Sequence, residues 1–183
     1  MNLFFCSDLH LGHFNIIRYT NRPFKTLEEM DSVIIARFNE RVKEDDLCYF
    51  LGDFCFRYAP KESPNAPKNA FEFYRNQLKC KNIIFIKGSH DKNNGIKTPI
   101  ESMIINYGGN RIYLTHDPKY AKENYSLNLT GHCHGKYGKF RKLGEKSVIV
   151  DLSVENWDYY PVTINEIFQA FSKWKKEGCK NEK

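Results

Sequence analysis

At 183 residues, 41% hydrophobic and 15% aromatic, the chain has enough apolar material for a single packed domain over residues 1–183 and too much for a disordered one. No stretch nears the roughly 18 consecutive apolar residues of a membrane helix. The opening run Met1 to Asp8 lacks a basic leader and a sustained apolar core, so a cytoplasmic location without membrane attachment is expected. A formal net charge of +6 admits an anionic substrate or nucleic acid and selects neither.

In chain order, a first strand is expected at Leu3–Cys6, running into Asp8 and His10. Thr26-Leu27-Glu28-Glu29 has the form of a capping box, and Met30, Val33, Ile34, Phe38 and Val42 follow at helical spacing. A strand at Leu47–Leu51 runs into Gly52-Asp53, and the Pro-rich stretch 60–67 reads as a surface loop. A second helix is expected over 68–79, with Phe71, Tyr74 and Leu78 on one face. The strand Ile83–Ile86 runs into Gly88-Ser89-His90-Asp91. Gly108-Gly109 divides two apolar runs between Ile100 and Leu114, a hairpin signal that makes a mixed sheet the expectation. Ile112–Leu114 leads to His116-Asp117, and Leu127–Leu129 leads to His132 and His134. Ser147–Val150 opens a further strand, and a capping box at Thr163-Ile164-Asn165-Glu166 starts a last helix that buries Ile167, Phe171 and Trp174 and stops near Gly178. The six cysteines (6, 48, 55, 80, 133, 179) are scattered through apolar runs and read as reduced, packed thiols.

Five of these strands end, on the C-terminal side, in Asp or His, and that edge is where α/β folds gather ligand groups. In an extended chain residues i and i+2 share a side. Asp8 with His10, and His132 with His134, are therefore expected to reach common points, while Leu9 and Cys133 turn away into packing. Carboxylates with imidazoles suit Mn, Fe, Zn, Co or Ni without choosing among them. More side chains converge than one such ion needs, which argues for two ions sharing a carboxylate. A structural zinc site would favour a closed Cys-rich tetrahedron, which this set is not.

Taken in order across residues 8–134, Asp8-Leu9-His10, Gly52-Asp53, Gly88-Ser89-His90-Asp91, His116 and Gly131-His132-Cys133-His134 resemble the motifs of the calcineurin-like metallophosphoesterases. The resemblance implies an α/β four-layer αββα sandwich with two mixed β-sheets, and a hydrolase of phosphomonoesters, phosphodiesters or related bonds. It implies that Asp8, His10 and His134 hold one ion, that His116 and His132 hold a second, and that Asp53 bridges them. His90 would stand over the substrate and protonate the leaving oxygen, with Asp91 either orienting its imidazole or serving as a turn residue. Two divalent ions follow as cofactors, manganese first, with iron, zinc, nickel and cobalt as alternatives. One position departs from the pattern. The family usually carries an Asn whose carbonyl ligates the second ion; Ser89 stands there, and its shorter hydroxyl is expected to weaken that site. The run His10-Leu11-Gly12-His13-Phe14-Asn15 resembles a bacterial and phage subgroup. His13 either contacts the substrate phosphate or caps the next segment, and Arg57 either neutralises a phosphate or is simply solvated.

After His134 the chain turns basic, with Lys136, Lys139, Arg141, Lys142 and Lys146 interleaved with Tyr137 and Phe140. Such a pattern either follows single-stranded nucleic acid or is a solvated hairpin end. Little sequence remains for a cap over the site, which favours phosphodiesters over monoesters and admits nucleotides or nucleic-acid ends. A nuclease and a non-catalytic scaffold of the same fold are the alternatives. Oligomeric state leaves no mark in the sequence.

Overall fold

Alternating side chains in the first strand feed two separate cores. The computed structural model describes residues 1–56 and 70–179, so Arg57 and the Pro-rich stretch 60–67 lie outside the described residues. In β1 (Leu3–Cys6), Phe4 and Cys6 face one side and Phe5 the other. Strands β1, β2 (Leu47–Phe50) and β3 (Asn82–Phe85) run parallel, and β9 (Val162–Thr163) pairs antiparallel with β1. This gives a mixed sheet in the order β3-β2-β1-β9. Helices α2 (Leu27–Arg41) and α3 (Ala70–Arg75) bury Met30, Ile34, Phe38, Ala70 and Tyr74 against Phe4, Cys6, Cys48 and Phe50. The short α1 (Phe14–Tyr19) links β1 to α2.

The second sheet has the order β4-β5-β6-β8-β7. Its strands are β4 (Ser102–Tyr107), β5 (Asn110–Thr115), β6 (Leu127–Thr130), β7 (Phe140–Leu143) and β8 (Ser147–Asp151). The three central strands β5, β6 and β8 are parallel, and both edges pair antiparallel. Its inner face (Ile112, Leu114, Leu127, Leu129, Val148, Val150) packs on Phe5, Leu51 and Ile86 of the first sheet. Helix α4 (Ile164–Lys176) closes the same core with Ile164, Ile167 and Trp174. On the outer face the segment after β5 lies across the strands: Tyr125 stacks on Tyr113 at 5.2 Å, and the Asn128 side chain exchanges two hydrogen bonds with the Lys122 backbone. The result is the α/β arrangement of two mixed sheets flanked by helices that the resemblance implied.

The local signals mostly translate directly. The Gly108-Gly109 turn has both residues at positive φ, the geometry that closes a two-residue hairpin between β4 and β5. The Thr163 capping box is complete. At Thr26 only half of it forms, because the Glu29 carboxylate accepts instead from the Lys25 amide. Helix α3 ends at Arg75, short of the expected 79, where the Arg75 guanidinium turns back to the carbonyls of Leu78, Cys80 and Lys81. All six cysteines are free. Among the described residues no helix is long and apolar enough to cross a membrane.

Candidate metal centre

Parallel strands align their C-terminal ends, and the chain uses that alignment twice. Beyond β1 and β2 the backbone stays paired: Asp8 donates to Gly52, His10 to Asp53 and Leu11 to Phe54, all main chain to main chain. Yet the chain here is not extended. Asp8, His10, Asp53, His132 and His134 all lie in the left-handed region, with φ of 59°, 52°, 57°, 72° and 49°. The expectation that i, i+2 spacing in an extended strand brings neighbours to one point therefore fails for the last pair. Asp8 and His10 do converge, but His132 and His134 turn to different places. Asp and His tolerate left-handed backbone better than most residues, and such strain clusters at functional sites.

Two groups of three result. Asp8, His10 and His134 bring one donor atom each within 4.8 Å of one another, and so do Asp53, His116 and His132. In the first group the Asp8 Oδ1 atom lies 3.8 Å from Nε2 of both His10 and His134. In the second, the Asp53 Oδ2 atom is 3.3 Å from His116 Nε2, and it also lies 3.8 Å from His10 Nε2, between the groups. The fit to metal rests on unspent donors. Asp8 Oδ1, His10 Nε2 and His116 Nε2 are buried without a hydrogen-bond partner, which would be costly unless something else satisfies them. Two donors each about 2.1 Å from a shared ion stand no more than about 4 Å apart, so these separations suit one.

Several of the remaining atoms of these side chains are already committed. Asp8 Oδ2 accepts from the His132 amide at 2.9 Å and the Ser153 hydroxyl at 3.1 Å. Asp53 Oδ1 accepts from the His90 amide at 2.8 Å, and His116 Nδ1 lies 2.7 Å from the Leu51 carbonyl. Two glycines make room. A Cβ on Gly131 would meet Ser7 Oγ at 2.0 Å, and one on Gly88 would meet the Asp53 amide at 2.2 Å. Burial works against charge on His116, but the carboxylates of Asp53 and Asp8 outweigh it and push the imidazole up to about 9. Burial would likewise raise Asp53, yet the same pairing holds it below the ordinary carboxylate range.

Around this centre the other sequence candidates fall as follows. His90 is exposed, its ring 6.0 Å from that of His10. Asp91 does not orient it: the buried Asp91 carboxylate is consumed by the amides of Gly88, Asp53 and Phe54, so it braces the two glycine loops against each other. Ser89 Oγ lies 3.2 Å from His132 Nδ1. His13 sits at the start of α1 without making a side-chain cap; it stacks on Phe56 at 4.9 Å, and burial pulls it down to about 4. Cys133 lies outside both groups and lines a small pocket with Pro118, Tyr137 and Ile149. In the basic segment, Phe140 is buried on Phe171 and Trp174, and the Tyr137 ring is held by Lys136 and Arg141. Phe140 is thus no stacking platform, while Tyr137 stays exposed.

Sequence reasoning missed the plate beneath the centre. Strand β8 runs into Asp151-Leu152-Ser153-Val154-Glu155, and its polar positions meet the site one by one. Asp151 Oδ2 accepts from the Gly135 amide, Ser153 Oγ from the His134 amide, and Glu155 Oε1 is 2.9 Å from His134 Nδ1. The signal was present, since Val148-Ile149-Val150 running into Asp151 is a sixth strand ending in a carboxylate.

No protein-family model matches the sequence. Over 179 residues the chain is 33% identical to the protein MJ1445 of Methanocaldococcus jannaschii, spanning 94% of this chain and 93% of that one. Among solved structures, AQ665 from Aquifex aeolicus, described as of unknown function, matches with a TM-score of 0.66 and 23% identity over 92% of this chain and 98% of its own. Yfce, a phosphoesterase from E. coli, matches with a TM-score of 0.44 and 16% identity over 90% of this chain and 82% of its own. At 33% identity over nearly all of both chains the protein belongs to one family with MJ1445, and its ordered Asp and His motifs on two mixed sheets give it the calcineurin-like metallophosphoesterase fold.

Proposed function

We propose that the protein is a phosphoesterase that works with two divalent ions, manganese first, and prefers phosphodiesters to monoesters. The observation that carries this reading is the pair of three-donor groups with unspent atoms, joined through the Asp53 carboxylate. Asp8, His10 and His134 would hold one ion, His116 and His132 the other, and Asp53 would serve both. Ions bound there would supply an activated water and neutralise phosphate charge. His90, solvent-facing and anchored to Asp53 through its amide, would hold the proton that the leaving oxygen takes. His13, kept neutral by burial, would offer a ring N–H to a phosphate oxygen. The preference for diesters is supported by a cleft of about 500 Å³ that opens beside Ser89 and His116, with Lys87, Tyr113, Lys119 and Tyr120 on its walls. It has room for the second substituent of a diester.

The test is hydrolysis of bis-p-nitrophenyl phosphate beside p-nitrophenyl phosphate. Metal-stripped protein would be resupplied with Mn²⁺, Ni²⁺, Zn²⁺ or Mg²⁺. Turnover should require the added ion and run faster on the diester, and His90→Ala should lower it by about 10²–10⁴-fold. Silence with every ion, in the wild type and in Ser89→Asn alike, would favour a non-catalytic scaffold.

A further inference from the structure

We infer that Arg22 and Glu155 form a buried positioning pair for the first metal position, an inference that rests on reading Asp8, His10 and His134 as metal-holding. The Arg22 side chain is fully buried. Its Nε and Nη2 donate to Glu155 Oε1 at 2.9 and 2.8 Å, and the same oxygen is 2.9 Å from His134 Nδ1. Nη2 also donates to the Asp8 carbonyl and Nη1 to the Leu9 carbonyl, each at 2.8 Å. One guanidinium thus grips both halves of the group. It holds the left-handed backbone that presents Asp8 and His10, and through Glu155 it holds the ring of His134.

The consequence for His134 is specific. A proton on Nδ1, donated to Glu155, leaves Nε2 with its lone pair facing Asp8 Oδ1, the form a metal requires. A buried ion pair is a poor source of stability, since desolvation offsets most of its attraction. Its contacts with a carbonyl of Asp8 and the ring of His134 give it a different role. In the second group the supports are neutral: His116 Nδ1 meets the Leu51 carbonyl and His132 Nδ1, on an exposed ring, meets the Ser89 hydroxyl, so neither rests on a carboxylate as His134 does. The pair therefore makes the first position the tighter of the two.

Metal-stripped protein titrated with Mn²⁺ by calorimetry tests this on two backgrounds, His132→Ala, which keeps the first group, and His10→Ala, which keeps the second. Glu155→Gln preserves volume and an acceptor but removes the charge. It should weaken Mn²⁺ about 10- to 100-fold on the first background and leave the second unchanged. Arg22→Lys should do the same to a lesser degree; if it fails to fold by circular dichroism, Glu155→Gln decides alone. Equal weakening on both backgrounds would mean a merely structural pair and overturn the inference, as would no weakening on either. A wild type that binds no Mn²⁺ would overturn the metal reading itself and this inference with it.

Discussion

Ser89 carries the sharpest question at the scale of single residues, because its hydroxyl meets His132 at the point where the family resemblance implies an amide oxygen. A hydroxyl that supports one imidazole ring does less for an ion than a carbonyl aimed at it. Ser89→Asn should tighten the weaker of two Mn²⁺ binding events by about tenfold, or about 1.4 kcal/mol, and leave the stronger one alone. Calorimetric titration reads both events, and unchanged weak binding would mean that Ser89 is no handicap. Asp91 teaches a different lesson at this scale. Beside His90 in sequence, it invited an orienting role, but a buried carboxylate goes where unpaired amides are, and here those belong to Gly88, Asp53 and Phe54.

At the scale of elements, the strands and long helices were legible because their apolar periodicity is local. Leu3–Cys6 is reproduced to the residue, and α2 starts at the expected Thr26 cap. The ligand backbone was not legible, since a left-handed turn at Asp8 or His134 depends on partners far along the chain, the Gly52 carbonyl for one and the Ser153 hydroxyl for the other. Arg22 had no local signal at all; its partner Glu155 lies 133 residues away. Asp31 on α2 is a similar long-range brace. It accepts from the Gly12 amide at 3.1 Å and from Tyr74 of α3 at 2.8 Å, and burial pushes it up to about 6. A raised carboxylate favours the fold in its neutral form, so its contribution is full below about pH 4 and is lost as pH rises through 6. Asp31→Asn removes that loss. By urea unfolding of metal-free protein, the variant should gain on the wild type by up to about 3 kcal/mol between pH 4 and 7. Parallel profiles would show that Asp31 does not titrate in this range.

For the whole molecule, the important fact is that each donor group draws on both sheets. Asp8 and His10 follow β1 and His134 follows β6; Asp53 follows β2, while His116 and His132 follow β5 and β6. Ions bound there would pin the two sheets together at their C-terminal edges, on top of the apolar core between them. Metal at 100 times its dissociation constant adds about 2.7 kcal/mol to the folded state for one site. For a chain of this size that corresponds to a rise in Tm of about 5–10 °C, reversed by chelation. A scanning calorimetry trace that does not move with Mn²⁺ would speak against ions bridging the sheets.

The most direct measurement is anomalous diffraction from crystals grown with Mn²⁺. Two peaks about 3.5–4 Å apart are expected, one among Asp8, His10 and His134, the other among His116 and His132, with the Asp53 carboxylate between them. No peak at these residues, or a single one that leaves Asp53 bound on one side only, would contradict a two-ion centre.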